Sequence, residues 1–407
     1  MRSSRGRRPL LGALATVLCL IAAACGSSSK SSGDSSPSTT AAGAADATGP
    51  GAFAKAHYTT DLSKDCPNPL IIQKDWLAEA EHAALYELIG AGGTMKQYDY
   101  SGPLGSTGIT LEILDGGPGL GDGITQPASL YAGNLVQNKT PTLAYVGTDD
   151  AVQFSKKYPV TAVVAPLAKA PTVLFYDPAV YPSINSIQDI IDSNAKIYVT
   201  ALTESYVQYL IGKGVQQSRF ITGYAGDKEK FVTSGGKILN QGYVSNEIYS
   251  FEHETPTWNK PLKYVLLDDL GYKPYPSALS IRTDKLQSLA PCLKKLVPLI
   301  QHAEIDYSKD PTEINTLLTK INPKYTAAFW FTSKGLNDAA VAAMKQSGVI
   351  ADQPDGFGSI DQTRMQTLID ILKPIFAKEG IDTYKTDVTP SDVTTNEFID
   401  PSIKLGS

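Results

Sequence analysis

The segment DWLAEAEHAALY, early in the chain, concentrates side chains that could bind a polar ligand. Trp76 offers a flat apolar face, and Glu81, His82 and Tyr86 offer hydrogen-bonding groups. On a helix predicted over 77–89, His82 and Tyr86 are neighbours, whereas Glu81 falls in the apolar face, where a lone carboxylate is costly unless paired or near a helix N-terminus. Two interpretations stay open. Either these side chains form a pocket for a flat ligand, or Trp76 is core, Glu81 caps the helix and His82 is solvated.

A second cluster of polar and aromatic residues follows a strand predicted in the second half of the chain, in the run SGGKILNQGYVSNEIYSFE. Its polar and aromatic side chains lie over 242–252, after the Gly-Gly-Lys of 235–237. Ser205, at the start of a predicted helix, adds a hydroxyl and free N–H groups. The alternatives are a surface loop for the cluster and an ordinary helix cap at Ser205.

Motifs of catalysis are missing from the sequence. It contains no G-x-S-x-G and no H-E-x-x-H, and its four histidines are scattered. The glycine-rich stretch over 116–123 lacks both the dinucleotide spacing and the P-loop lysine, but it follows a predicted strand, where open α/β sheets bind ligands. We therefore predict a protein that is not an enzyme, with no cofactor and no metal site.

Short apolar runs alternate with helical patterns up to about residue 270, which predicts βαβ units and largely parallel sheets with helices on both faces. The strands are predicted over 69–72, 109–114, 142–146, 160–165, 172–176 and 196–200. The helices among them are predicted over 77–89, 124–136, 187–191 and 205–213. The last third is mainly helical, with candidates over 284–303, 311–320, 335–347 and 361–378. Pro291 and Pro298 are expected to break or kink the first of these.

The N-terminus has the layout of a secretory signal, with four arginines before an apolar run over 9–21 and then Ala-Ala-Ala-Cys. Residues 1–24 are predicted to be a lipoprotein signal peptide and Cys25 the lipidated residue, the alternative being an uncleaved signal anchor. Residues 25–56 are rich in Ser, Thr, Ala and Gly and are predicted to be a disordered tether. The protein is thus expected to be exported and anchored to the outer face of the cytoplasmic membrane.

Charge and cysteine content narrow the partners and the compartment. The net charge is −5, and it becomes −9 without the four signal arginines, which argues against nucleic acid as a partner. Cys66 and Cys292 remain after the signal and the lipid site are set aside. An oxidising compartment makes a disulfide between them plausible, and two separate thiols are the alternative.

The pattern D-W-x-x-x-x-E-H-A-x-L-Y, followed by the strand end G-I-T-L-E-I, resembles the periplasmic binding proteins of the thiamine-biosynthesis-like superfamily. That group includes receptors of ABC importers for thiamine pyrimidine precursors, riboflavin-like compounds, sulfonates and nitrate. The resemblance covers about residues 68–400. Its pyrimidine receptors usually carry Pro and Asn where this chain has residues 77–80, which leaves the ligand open.

The resemblance implies a type II binding-protein fold with two lobes, parallel-type sheets with flanking helices, and a hinge. Lobe one would comprise 57–168 and 275–407, with the helical C-terminal part packed on it, and lobe two would comprise 169–274. The crossings would lie near 165–171 and 270–277. The implied contacts of lobe one are Trp76, Glu81, His82, Tyr86, Thr148 and Asp149. The implied contacts of lobe two are Ser205, Tyr224, Asn246, Glu247 and Tyr249.

The predicted function is capture of a small ligand outside the cell by hinge closure and its delivery to an ABC permease in a transient contact. The ligand is expected to be a small heteroaromatic compound resembling the thiamine pyrimidine, and the protein is expected to be a monomer. One alternative is a receptor for sulfonate or nitrate, which would require basic residues around the cleft. A second is an exported enzyme acting on a similar heterocycle, and a third is a ligand-sensing lipoprotein.

Overall fold

The computed structural model describes residues 49–324 and 332–406. The signal segment, Cys25 and most of the tether lie outside the described residues. Among the residues described, no helix combines the length and the apolarity needed to cross a membrane. The strands are β1 (Leu70–Gln73), β2 (Thr94–Lys96), β3 (Asp99–Pro103), β4 (Thr110–Leu114), β5 (Leu143–Val146), β6 (Val160–Val164), β7 (Thr172–Tyr176), β8 (Lys196–Tyr198), β9 (Phe220–Ile221), β10 (Ile238–Tyr243), β11 (Lys263–Leu266) and β12 (Ala278–Arg282).

Helices alternate with these strands and then dominate the last third of the chain. They are α1 (Ala52–His57), α2 (Ala83–Glu87), α3 (Gln126–Ala132), α4 (Thr148–Gln153), α5 (Ile187–Ser193), α6 (Ser205–Gly212), α7 (Glu229–Thr233), α8 (Glu247–Glu254), α9 (Leu286–Lys309), α10 (Thr312–Ile321), α11 (Lys334–Gln346), α12 (Gln362–Glu379) and α13 (Pro390–Val393). Each predicted strand and each predicted helix of the last third has a counterpart, so the α/β fold class is confirmed.

The strands form two sheets. The first has the order β2-β3-β4-β1-β5-β12-β6, and the second has the order β11-β7-β10-β8-β9. Strand β1 is the parallel neighbour of both β4 and β5, which explains why its residues form an almost unbroken apolar run. In the second sheet β8 lies parallel to β10 and β9.

The sheets are mixed, so the prediction of largely parallel sheets is wrong. Hairpins join β2, β3 and β4, and β7 runs antiparallel to β10 and β11. Strand β12 runs antiparallel to β5 and β6, because it carries the chain back from the second sheet into the first. The chain passes between the sheets twice, after β6 and between β11 and β12.

Two local predictions are also corrected. The helix predicted over 77–89 is interrupted: a 3₁₀ turn covers Ala80–His82, preceded by extended backbone at Glu79, and α2 follows as a short helix. Glu81 therefore does not lie on a continuous apolar helix face. Helix α9 runs unbroken through Pro291 and Pro298, because its buried face compensates for the lost backbone hydrogen bonds.

The C-terminal helices contact elements that belong to both sheets, and not to the first sheet alone. Helix α9 packs on α2 and β6, whereas α12 contacts both α4 and α6, and α11 contacts the turn at Ala80–His82 as well as α8. A disulfide joins Cys66, in the loop before β1, to Cys292 in α9. The helical third of the chain therefore connects elements that follow both sheets.

Candidate functional site

The carboxyl end of β1 supports the site through a buried polar network. Gln73 donates from Nε2 to the carbonyl oxygens of Leu114 and Asp115, at 3.1 and 2.8 Å, and its Oε1 accepts from Asn134 at 2.7 Å. The Lys74 ammonium lies 2.7 Å from Asp115, and both side chains are almost completely buried. This network fixes the ends of β1 and β4 relative to each other, and with them the residues that come next in the chain.

Tyr86 lies beneath this edge, completely buried. Its ring covers the Lys74 ammonium, with 4.9 Å from Nζ to the ring centroid, and its hydroxyl donates to Asp115 at 3.3 Å. The structure therefore gives Tyr86 the role of supporting the Lys74–Asp115 pair rather than that of a ligand contact.

His82 lies between two carboxylates of the first sheet's edge. Its Nε2 is 2.7 Å from Asp75 Oδ1 and its Nδ1 is 3.4 Å from Glu79 Oε1, and the ring is almost completely buried. Ser277, just before β12, donates to Asp75 at 2.5 Å. Burial alone would raise the pKa of Asp75, but His82 and Ser277 outweigh it and hold that pKa below its ordinary value. The alternative of a solvated His82 is wrong.

Trp76 stands at the rim, with 36% of its surface exposed, so the alternative that it is a core residue is also wrong. The glycine-rich segment after β4 makes room for it. Gly117 adopts φ +52°, and a Cβ there would lie 2.6 Å from the indole ring. A Cβ at Gly116 would collide with the backbone of Asp75. These glycines let the two strand ends approach each other closely.

Thr148 and Asp149 follow β5 and bind the segment between β11 and β12, where the chain returns to the first sheet. Thr148 is buried; its N–H donates to the Tyr275 carbonyl at 2.9 Å, and its hydroxyl accepts the Tyr275 N–H at 2.8 Å. Asp149 accepts from the Tyr272 hydroxyl at 2.7 Å, and Ser205 lies near the same hydroxyl. These contacts tie the first sheet to the crossing that leads into β12.

The second sheet presents its own carboxylate at the end of β10. Glu247 accepts from the Tyr224 hydroxyl at 2.6 Å and from the Tyr243 N–H at 2.7 Å. Burial raises the pKa of Glu247. The Tyr224 hydroxyl therefore orients Glu247 by donating its hydrogen to that carboxylate.

The two sheet edges meet directly through a side-chain hydrogen bond. Ser245, after β10, donates from its hydroxyl to Glu81, after β1. Beside this bond is a small cavity of about 10 Å³, room for about one water molecule. Polar residues from three separate segments line it: Glu79, Glu81, Ser245, Asn246, Thr332 and Asn337.

The third segment is the start of α11, which also contacts the second sheet's helix α8. The Ser333 hydroxyl donates to Glu254, and the Tyr249 hydroxyl packs against Gly335, where a Cβ would lie 2.4 Å from it. Tyr249 therefore lies at the contact between α8 and α11. Within the cavity, Asn337 accepts from the Thr332 hydroxyl at 2.6 Å, and its amide nitrogen is buried with no hydrogen-bond partner in the part of the chain that the structure describes.

Carboxylates dominate the facing edges. Asp75, Glu79, Glu81, Asp149 and Asp150 follow strands of the first sheet, and Glu204 and Glu247 follow strands of the second. Burial, followed by Glu81 and Asp75, raises the pKa of Glu79 well above its ordinary value, and burial raises the pKa of Glu81 to about 7. Burial and Asp149 raise the pKa of Asp150 to about 8. The described residues provide no group of three or more side chains suited to hold a metal ion.

The structure brings Glu81 and Asn246 together at the cavity, with His82 in contact with Glu79 and with Glu247 close enough to influence the pKa of Glu81, whereas Trp76 is exposed and does not line the cavity. The other predicted contacts do not line the cavity but bind the protein segments around it: Tyr86, Thr148, Asp149, Ser205, Tyr224 and Tyr249. Sequence analysis missed Glu79, Ser245 and Asn337. Glu79 and Ser245 lie within the segments already singled out, whereas no motif marks Asn337, which lies more than 250 residues further along the chain from Glu79.

Comparison with known proteins found no matching family model and no match among curated proteins. Solved structures are similar at low identity. The alkanesulfonate-binding protein SsuA of Xanthomonas axonopodis pv. citri has a TM-score of 0.47 and 10% identity, covering 81% of this chain and 100% of its own. The periplasmic sulfonate-binding protein SsuA of Methylobacillus flagellatus KT has a TM-score of 0.49 and 12% identity, with coverage of 82% and 93%. The ligand-binding component of an ABC-type import system from Staphylococcus aureus has a TM-score of 0.47 and 11% identity, with coverage of 81% and 97%. At these low scores and identities, the function of this chain has to be inferred from its own sheet topology and side-chain geometry.

Proposed function

We propose that the protein is an extracytoplasmic solute-binding protein that captures a small heteroaromatic ligand by hinge closure and delivers it to an ABC importer. The observation that carries the proposal is the direct hydrogen bond from Ser245 to Glu81, which joins two sheets that are connected by two chain crossings. Rotation about the crossings, with separation of the contacts by which α11 and α12 connect elements of both sheets, would expose the facing edges to solvent. Such edges are where α/β sheets bind ligands.

Hinge opening is required by the size of the cavity. Room for about one water molecule cannot hold a heterocycle, so the ligand has to enter an open state and replace the contact between Ser245 and Glu81. A ligand favours closure only by binding the closed state more tightly than the open one. Contacts with residues after both β1 and β10 meet that condition, because they form together only on closure.

The side chains at the cleft favour a hydrogen-bonding ring over an anion. Trp76, in the same segment that follows β1, offers an exposed aromatic face. A sulfonate or nitrate would need positively charged groups. Lys74 already forms an ion pair with Asp115, and His82 lies between the carboxylates of Asp75 and Glu79, so neither is free to bind an anion. The proposed ligand therefore carries N–H donors, as an aminopyrimidine does.

The remaining parts of the proposal concern the cell. The tether predicted over 25–56 has to end before α1, because Ala54 is buried and the Gly51 N–H donates to Glu313. Lipidation at Cys25, a flexible tether from there to the start of α1, and transient docking of a monomer on a permease would keep the receptor at the outer face of the membrane. The lobes would comprise 57–168 with 275–407, and 169–274. Metabolic labelling with a palmitate analogue tests the anchor: incorporation lost in Cys25→Ala supports it, and label retained in that variant contradicts it.

Thermal unfolding of the purified protein against a ligand panel tests the binding function. The panel contains thiamine pyrimidines, riboflavin, other nucleobase-like heterocycles, alkyl sulfonates and nitrate. A ligand at 100 times its dissociation constant adds about 2.7 kcal/mol to the free energy of unfolding, which raises the melting temperature measurably. A rise with a heterocycle supports the proposal, a rise with anions alone replaces the ligand class, and turnover of a bound compound would make the protein an enzyme.

A further inference from the structure

The balance of charge around the cavity is strongly uneven. Glu79 and Glu81 line it, and Asp75 and Glu247 lie close enough to influence the pKa of both. The nearby positive groups already have partners. Lys74 is paired with buried Asp115 at 2.7 Å, and His82 is shared between Asp75 and Glu79.

Lys228, the positive group near Glu247 in the second sheet, is likewise committed elsewhere. Its ammonium donates to the Thr255 hydroxyl at 3.0 Å and to the Ser250 carbonyl at 3.4 Å. Among the described residues, the Glu79 side chain contacts His82 alone, at the longer distance of 3.4 Å, and 19% of the Glu79 side chain is exposed. A partly buried carboxylate with so few donors around it is stabilised when a ligand supplies them.

A second and independent unsatisfied group, an amide donor, also lines the cavity. Asn337 is only 2% exposed, and among the described residues its amide nitrogen has no hydrogen-bond partner, although its oxygen accepts from Thr332 at 2.6 Å. Buried amide donors are nearly always paired in proteins. An acceptor atom of a ligand would satisfy this donor, just as a donor of the ligand would satisfy Glu79.

Resting on the proposed solute-binding function, we infer that the ligand is cationic: a protonated nitrogen binds between Glu79 and Glu81, and an acceptor on the same molecule takes the N–H of Asn337. This identifies the ligand class as heterocycles with a basic amine or amidine substituent. With a neutral ring, Glu79 and Glu81 are held in the protonated form that their raised pKa values favour, whereas a cation lets them ionise and pair with it. An anionic ring finds no positive partner there.

Three probes with one ring and different charges separate these cases. They are 4-amino-2-methylpyrimidines with a 5-aminomethyl group, which is cationic at pH 7, a neutral 5-hydroxymethyl group and an anionic 5-carboxylate. Isothermal titration calorimetry of the purified protein measures each dissociation constant. The cationic probe is expected to bind about tenfold more tightly than the neutral one, and the carboxylate is expected to bind most weakly.

Variants assign the preference to the cavity. Glu79→Gln should remove the tenfold preference, and Glu229→Gln, the same change at an exposed residue of α7, should retain it. Asn337→Ala should weaken all three probes by a similar factor, because the ring acceptor is common to them.

The outcomes distinguish this inference from the proposed function. Equal binding of the cationic and neutral probes, or a preference that survives Glu79→Gln, overturns the cationic ligand and leaves the solute-binding function standing. Failure of all three probes, together with failure of the wider panel, overturns both.

Discussion

Two groups of ionisable side chains lie at the edge of the first sheet, one fully buried and one partly exposed, and they differ in whether other side chains compensate their charge. Lys74 and Asp115 neutralise each other at 2.7 Å beneath the ring of Tyr86. Glu79 and Glu81 face the second sheet with few donors other than His82 and Ser245. The first group stabilises the edge of the sheet, and the second leaves an electrostatic deficit that a ligand can fill. Replacing residues of the two groups should therefore separate folding from binding.

The largest expected effect comes from Lys74→Met. Removing the ammonium leaves Asp115 charged, buried and uncompensated, which should lower the free energy of unfolding by about 3–5 kcal/mol. Urea unfolding followed by circular dichroism measures it. The double variant Lys74→Met/Asp115→Leu should recover much of the loss. A single variant as stable as the parent would contradict the assigned role of the pair.

The two chain crossings between the sheets provide the next effect. Arg364 in α12 donates to the carbonyl oxygens of Ala168, Lys273 and Pro274, and it pairs with Asp268 at 3.2 Å. Arg364 thus binds the backbone of both crossings. Arg364→Ala should lower the free energy of unfolding, measured in urea, by about 3 kcal/mol.

Arg364→Lys is the matched control for that substitution. It keeps the charge but loses the planar fork, so it should recover only part of the stability. If Arg364→Lys is as stable as the parent, the charge alone stabilises the two crossings, and the set of hydrogen bonds to them contributes nothing.

Glu304 in α9 gives a pH-dependent effect. Its carboxyl is almost completely buried, one of its oxygens has no hydrogen-bond partner within 49–324 and 332–406, and burial raises its pKa to about 8. Between its unfolded pKa near 4.5 and this value, the folded protein holds one proton more than the unfolded chain, so stability falls as pH rises, by at most about 1.4 kcal/mol per pH unit. Glu304→Gln should abolish this loss, and its advantage over the parent should grow by about 2 kcal/mol between pH 5 and pH 7 in urea unfolding. An advantage that is constant with pH would contradict a neutral Glu304.

The smallest effect on folding is expected at the rim. Trp76→Ala removes a half-exposed ring, so it should change stability little while weakening the best-binding heterocycle by about tenfold. Calorimetry measures the affinity and thermal unfolding the stability. Unchanged affinity in both Trp76→Ala and Glu81→Gln would show that the ligand binds elsewhere.

The sequence predicts the elements better than the site because the two depend on different ranges of interaction. Apolar runs such as Leu143–Val146 are local signals, and they identify the strands. The helix predicted over 77–89 fails because Glu79 is extended, a conformation that periodicity does not encode.

The missing part of the site depends on contacts between distant segments. The bond from Ser245 to Glu81 spans 164 residues, and the lining contributed by Asn337 comes from the helical third of the chain. Patterns within one segment carry no information about either contact. The direction of β12 is missed for the same reason, since it results from the chain's return into the first sheet.

Small-angle X-ray scattering of the purified protein, with and without the tightest-binding heterocycle at saturation, tests hinge closure most directly. We predict that the unliganded protein populates an open state, so that the ligand lowers the radius of gyration, and that this decrease is lost in Glu81→Gln together with affinity. A ligand that binds tightly while the scattering stays unchanged would contradict closure of the two sheets over it.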